Sequence, residues 1–281
     1  MPRPSASRKP TSPKGRATRQ SKLTARTADR HDLYQQSVQN TAWEVKFIDK
    51  VFRERRQRAP LSLREDFCGT ALLCADWVKG HRERTALGVD LDPEVLAWGV
   101  DHNLAPLGEP GSRLYLLEQD VRDPAPSKAD VIVALNFSYW IFKTRDALLG
   151  YFRNVRSGLT KDGLALLDAY GGWEAQEPML EPREVNGFTY VWDQGAFDPI
   201  TNDVTNHIHF EFPDGSRLDK AFSYHWRLWS LAEIQELLVE AGFSKVAVYW
   251  DTSSDDDVMR YRVAKSAKSQ PGWVAYIVAE R

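Results

Sequence analysis

The stretch Leu61-Ser62-Leu63-Arg64-Glu65-Asp66-Phe67-Cys68-Gly69-Thr70-Ala71 decides how this chain reads. An extended segment, Leu61 to Glu65, runs into a loop ending near Gly69 and straight into a helix over Thr70 to Lys79, which Gly80 closes. Backbone N–H groups at such a helix start are unpaired and reinforced by the aligned peptide dipoles, so they can hold a carboxylate or phosphate. Downstream the unit recurs. A second strand, Ala86 to Asp90, feeds a helix marked by Asp92 as N-cap and Pro93 at the first helical position. Strands follow at Arg113 to Glu118 and Val131 to Leu135, then a helix with Leu148, Phe152, Val155 and Leu159 on one face, then a fifth strand at Leu164 to Ala169. Strands alternating with amphipathic helices define an α/β architecture with helices over a mostly parallel sheet. Upstream, one helix is expected from His31 to Arg56, carrying Leu33, Tyr34, Trp43, Phe47, Ile48 and Val51.

After the fifth strand the pattern changes. Phe188 to Trp192 and His207 to Phe212 alternate apolar and polar residues, and Pro213-Asp214-Gly215-Ser216 supplies a turn, which indicates antiparallel hairpins. A capping box, Ser230-Leu231-Ala232-Glu233, restarts a helix whose buried stripe is Ile234, Leu237, Leu238 and Ala241. Two strands, Lys245 to Trp250 and Trp273 to Val278, flank a loop rich in Asp and Ser.

Open α/β sheets bind ligands at the carboxyl ends of their strands, and five successive strand ends here carry polar or aromatic residues. Asp90 can accept both hydroxyls of a ribose, and Asp120 can accept from an exocyclic adenine amine. Asn136 with Tyr139 and Trp140 ends the fourth strand, and Asp168 with Tyr170 the fifth. Helix capping explains Asp90 or Asp120 singly, but not all five ends together.

In these residues the chain resembles the class I S-adenosylmethionine-dependent methyltransferase family over about residues 31 to 281. The family's first acid and glycine-rich turn match Glu65 and Phe67-Cys68-Gly69-Thr70-Ala71, with Phe67 and Ala71 where glycines are usual. Its ribose-binding acid matches Asp90, followed by Leu91, and its adenine-contacting acid matches Asp120, followed by Val121. Asn136 falls where the fourth motif meets cofactor and substrate. The resemblance implies S-adenosylmethionine as cofactor and a Rossmann-like, mostly parallel seven-stranded sheet with an antiparallel last strand and helices on both faces. The antiparallel β insertion after strand five, residues 174–226, is then expected to cap the substrate.

A sulfonium methyl donor arrives activated, so an enzyme's tasks are alignment and exclusion of water; positioning alone supplies roughly 7–11 kcal/mol. Aromatic faces near the cation add roughly 0.5–2 kcal/mol. Tyr34, Trp140, Tyr170 and Trp226 are therefore expected to bind the acceptor, and His225, Tyr224 and Tyr139 are the candidate catalytic groups. His207 and His209 share a strand face but show no third ligand, so no metal is expected. Cys68 fits its loop as a small residue rather than a nucleophile.

Composition narrows the partners. The first 30 residues hold nine basic residues against one acid, +8, so the formal −2 of the chain leaves −10 for residues 31–281. Residues 1–30 read as a basic, disordered tail, because Pro2, Pro4, Pro10 and Pro13 break the amphipathic helix that an organelle transit peptide needs. The acidic body is a poor nucleic-acid surface, and no apolar run approaches the roughly 20 residues of a membrane-spanning helix. Two cysteines and no secretory apolar region point to a reducing, cytoplasmic location. A small-molecule methyl acceptor is the expectation. Its rivals are an RNA or protein acceptor, drawing on the tail, and a non-catalytic cofactor-binding protein, drawing on the reduced glycine loop. A nicotinamide-dependent oxidoreductase is disfavoured by the lack of an intact G-x-G-x-x-G.

Overall fold

The structure is a computed structural model and describes residues 23–253 and 259–281. Two helices, α1 (Arg30–Val38) and α2 (Thr41–Arg56), lead into β1 (Ser62–Asp66), α3 (Leu72–Lys79), β2 (Thr85–Asp90), α4 (Pro93–Gly99), β3 (Leu114–Glu118) and β4 (Ala129–Ala134). Next come α5 (Arg145–Gly158) and β5 (Leu159–Gly171). Four strands form the insertion: β6 (Met179–Val185), β7 (Phe188–Phe197), β8 (Asp203–Glu211) and β9 (Arg217–Arg227). The chain closes with α6 (Leu231–Glu240), β10 (Lys245–Asp251), β11 (Tyr261–Ala264) and β12 (Trp273–Glu280).

The main sheet has the order β11-β10-β12-β5-β4-β1-β2-β3. β5, β4, β1, β2 and β3 pair in parallel, while β12 is antiparallel to both β5 and β10. The central strand β4 reads as an apolar run because both its faces are covered. Phe52, Trp77 and Val78 of α2 and α3 pack one face, and Phe152, Val155 and Leu237 of α5 and α6 the other. The chain direction of crossovers changes between β1 and β4, and their carboxyl ends open the crevice of such sheets. The insertion is a separate antiparallel sheet, β6-β7-β8-β9, with its own core around Phe188, Ile208 and Phe210.

The helix starts match their signals. Asp92 accepts from the Glu94 and Val95 N–H groups, with Pro93 in the first turn, and Ser230 and Glu233 complete the reciprocal capping box. Three expectations are corrected. The single helix from His31 to Arg56 is two, broken at Gln39 and Asn40, because Leu33 packs under the insertion while Phe47, Ile48 and Val51 pack on the main sheet. One straight helix cannot face both cores. The sheet has eight strands rather than seven, β11 adding an antiparallel edge to β10.

The third correction moves the tail boundary. Leu23, Ala25 and Ala28 pack against the insertion core, the Ala25 N–H donates to Ser216 Oγ (2.9 Å), and Asp29 caps α1 while accepting from Trp98 Nε1 (2.9 Å). Of the tail expected over residues 1–30, residues 1–22 lie outside the described residues. A chain starting at Asp29 is expected to melt roughly 2–6 °C below one starting at Leu23, since a part-buried leucine and one hydrogen bond are worth about 1–2 kcal/mol. Equal melting curves would make the 23–28 contacts energetically idle.

Candidate functional site

The loop after β1 keeps a glycine-type backbone with a single glycine. Phe67, Gly69 and Ala71 have φ of +58°, +52° and +55°, where a side chain costs roughly 1–2 kcal/mol. Hydrogen bonds hold the trace: Cys68 N–H to the Val89 carbonyl (3.1 Å), Ala71 N–H to the Cys68 carbonyl (2.8 Å), and Gly69 N–H to Asp90 Oδ2 (2.8 Å). Asp90 therefore fixes the loop from the end of β2, and its other oxygen accepts from Asp92 N–H (3.1 Å). Cys68 is buried with its thiol pushed up by burial and by Glu65, which fits packing rather than nucleophilic chemistry. A Cβ on Gly88 would come within 2.8 Å of Cys68 Sγ, so the two small residues let β2 approach the loop.

At β4 the same device recurs. Asn136 and Phe137 stand at φ +55° and +60°, and their N–H groups donate to the two oxygens of Asp168 at 2.8 and 2.9 Å. Tyr139 Oη donates to the Asp168 carbonyl (2.7 Å). The carboxylate at the end of β5 thus clamps the loop at the end of β4.

A cavity of about 1290 Å³ lies between the carboxyl ends of β4 and β5, the α1–α2 junction and the inner face of the insertion. Tyr34, Asn136, Tyr170, Tyr224 and Trp226 all line it, so the structure brings together residues drawn from four separate stretches. Trp192, Trp250, Tyr261 and Tyr276 extend the aromatic wall. Tyr224 stacks on Trp226 with ring centroids 4.4 Å apart.

Buried carboxyls crowd the same region. Burial, with Asp168 nearby, pushes Glu44 up to about 8. Burial pushes Glu65 up to about 8 and Asp168 to about 7. Each lacks the water that stabilises the ionised form.

The remaining residues of the sequence reading fall elsewhere. Glu65 is buried outside the cavity lining and accepts from Cys74 N–H (3.2 Å), tying β1 to α3. Leu91 is 62% exposed. Asp120 forks with Arg122, its oxygens accepting at 2.6–3.1 Å, and the buried Val121 offers its carbonyl to Arg64 Nη2 (3.1 Å). Tyr139 and Trp140 are corrections: both are fully buried in the core, outside the cavity lining. His225 is a third, because strand alternation turns it away from its neighbours Tyr224 and Trp226, and its Nδ1 sits 3.1 Å from Thr205 Oγ1 outside the cavity. His209 is buried between Asp193 and Asp219, and no cluster suited to a metal ion exists among the described residues. The reading missed Glu44, which sits on the apolar stripe of α2 with Ile48 and Val51. A lone acid on such a stripe was the available signal.

No protein-family model and no curated protein matches the sequence. Solved structures do. An S-adenosylmethionine-dependent methyltransferase from Clostridium acetobutylicum is similar at 18% identity and a TM-score of 0.67, over 89% of this chain and 96% of that one. An amino pentose methyltransferase from Micromonospora echinaspora, solved with S-adenosylmethionine bound, is similar at 14% identity and a TM-score of 0.64, over 89% and 95%. A sugar N-methyltransferase from a Streptoalloteichus species matches at 19% identity and a TM-score of 0.62, over 98% of both chains. With its strand order and insertion, the chain has the Rossmann-like fold of the S-adenosylmethionine-dependent methyltransferases.

Proposed function

We propose that the protein is an S-adenosylmethionine-dependent methyltransferase whose acceptor is a small molecule held in the cavity under the insertion. The observation that carries this reading is the left-handed loop at Phe67, Gly69 and Ala71, kept at energetic cost and bonded to Asp90. Such strain persists where the backbone shape itself is used. The residues present fit the cofactor: Asp90 for the ribose, the Asp120–Val121 turn for the adenine, and Asn136 toward the cavity. When bound, the cofactor supplies a methyl group on a sulfonium. The chain's own part is to orient the acceptor and exclude water, with the insertion (174–226) as the cap and Tyr34, Tyr170, Tyr224 and Trp226 as the wall. The acidic body supports a small acceptor over a nucleic acid. Both thiols are free, in keeping with the cytoplasm, and no helix among the described residues is long and apolar enough to cross a membrane.

Asp90→Ala is expected to raise the dissociation constant for S-adenosylhomocysteine by about tenfold or more, because a hydrogen bond to a charged group is worth roughly 1.5–3 kcal/mol. Calorimetry on the folded variant decides. An unchanged affinity removes Asp90 from the cofactor site.

A further inference from the structure

The cavity has a polarity that methyl transfer alone does not require. Among the described residues lining it, Glu44, Asp168, Glu174, Glu181 and Asp251 carry carboxylates and Arg183 is the single Lys or Arg. That guanidinium is already engaged, donating to the Ser37 carbonyl and lying 5.1 Å from the Tyr190 ring centroid. Asp168 is also occupied, by two backbone N–H groups. Glu44 is different. It is 9% exposed, it lines the cavity, and its carboxylate has no hydrogen-bond or ion-pair partner among the described residues. An ionised carboxylate so deeply placed is unfavourable until a cation or donor meets it. Tyr34, Trp43 and Tyr276 line the same cavity, and the negative faces of aromatic rings favour a cation as the carboxylate does. Gly69, Asp90 and Asp120, by contrast, do not line this cavity.

We propose that Glu44 receives the ammonium group of the acceptor, making the methyl acceptor a small basic amine; this rests on the methyltransferase reading above. The ammonium passes one proton to the Glu44 carboxylate. The freed nitrogen lone pair forms the new N–C bond to the methyl group. The C–S bond breaks with its electron pair moving to sulfur, leaving a neutral thioether and a methylated ammonium. Glu44 returns its proton to water as product leaves. Burial and Asp168 hold the Glu44 carboxyl near the pH at which such exchange is easy.

The test is calorimetric titration with benzylamine and its neutral counterpart benzyl alcohol, in saturating S-adenosylhomocysteine, on the wild type and on Glu44→Gln. The wild type is expected to bind benzylamine at least about tenfold tighter than benzyl alcohol, and Glu44→Gln to abolish that difference. S-adenosylhomocysteine affinity in the variant should stay within about threefold. Equal binding of the two probes by the wild type, no measurable binding of benzylamine, or a preference that survives Glu44→Gln overturns the proposal. So does a variant that loses S-adenosylhomocysteine affinity, since Glu44 would then serve the cofactor's own ammonium. A wild type that fails to bind S-adenosylhomocysteine before any amine is added takes down the methyltransferase reading itself, and the amine site with it.

Discussion

Asp66→Ala is expected to destabilise the protein by about 3–5 kcal/mol, because it strands a guanidinium in the middle of the main sheet. Arg64 and Asp66 are each 1% exposed, with Arg64 Nε donating to Asp66 Oδ1 at 2.6 Å. Tyr151 Oη donates to the other carboxylate oxygen at 2.9 Å. The side chain of Arg64 runs beside Gly158, where a Cβ would lie 3.2 Å from Nη1, and its Nη2 reaches the Val121 carbonyl at 3.1 Å. Nη1 has no hydrogen-bond partner among the described residues. Removing the carboxylate leaves a buried cation without compensation, whereas replacing the pair together, Arg64→Met with Asp66→Leu, removes both charges and is expected to cost far less. Denaturant unfolding separates the two cases. If the single Asp66→Ala variant lost less than about 1 kcal/mol, the pair would not be holding the sheet centre.

The α/β alternation was legible because the central strands of the parallel sheet, β4 above all, are buried on both faces and each helix on one, so two hydrophobic periods mark the chain. Asp92 with Pro93, and Ser230 with Glu233, located helix starts because a cap is a local hydrogen bond between near neighbours. The break at Gln39 and Asn40 was not legible, since both halves carry helical spacing and only the two separate cores dictate the bend. β11 was hidden for a related reason: Tyr261–Ala264 is a short edge strand, and its partners come from β10.

The site divides along the same line. Asp90 and Asn136 are strand-end residues, placed by topology that the pattern already implied. Tyr224 and Trp226 on one face of β9 carry the corollary that His225 points away, a deduction available from alternation alone. Tyr139 and Trp140 sit in a 3-10 turn, Ser138–Ile141, which has no period long enough to say which side faces the core. The replacement of two loop glycines by Phe67 and Ala71 looked like a weakened motif. The backbone shows otherwise, since both have the positive φ that glycine favours.

Asp168→Asn tests the second clamp and is expected to cost about 2–4 kcal/mol, lowering the melting temperature by roughly 4–12 °C. The carboxylate serves two donors at once, Asn136 N–H and Phe137 N–H, and an amide offers one oxygen while turning an NH₂ toward the other. Both donating residues are in the left-handed region, so the bonds offset roughly 1–2 kcal/mol of backbone strain at each. With one bond gone the loop is expected to relax, and Asn136 and Phe137 line the cavity directly. Affinity for S-adenosylhomocysteine should therefore fall by about tenfold, and turnover with it. Tyr139→Phe is the companion variant. It removes only the hydroxyl that reaches the Asp168 carbonyl, leaves the carboxylate in place, and should cost about 1 kcal/mol with cofactor affinity unchanged. If Asp168→Asn behaved like Tyr139→Phe, losing a little stability and no affinity, the carboxylate would be packing the end of β5 rather than shaping the loop at the end of β4, and the positive φ of Asn136 and Phe137 would have to be held by the chain on either side.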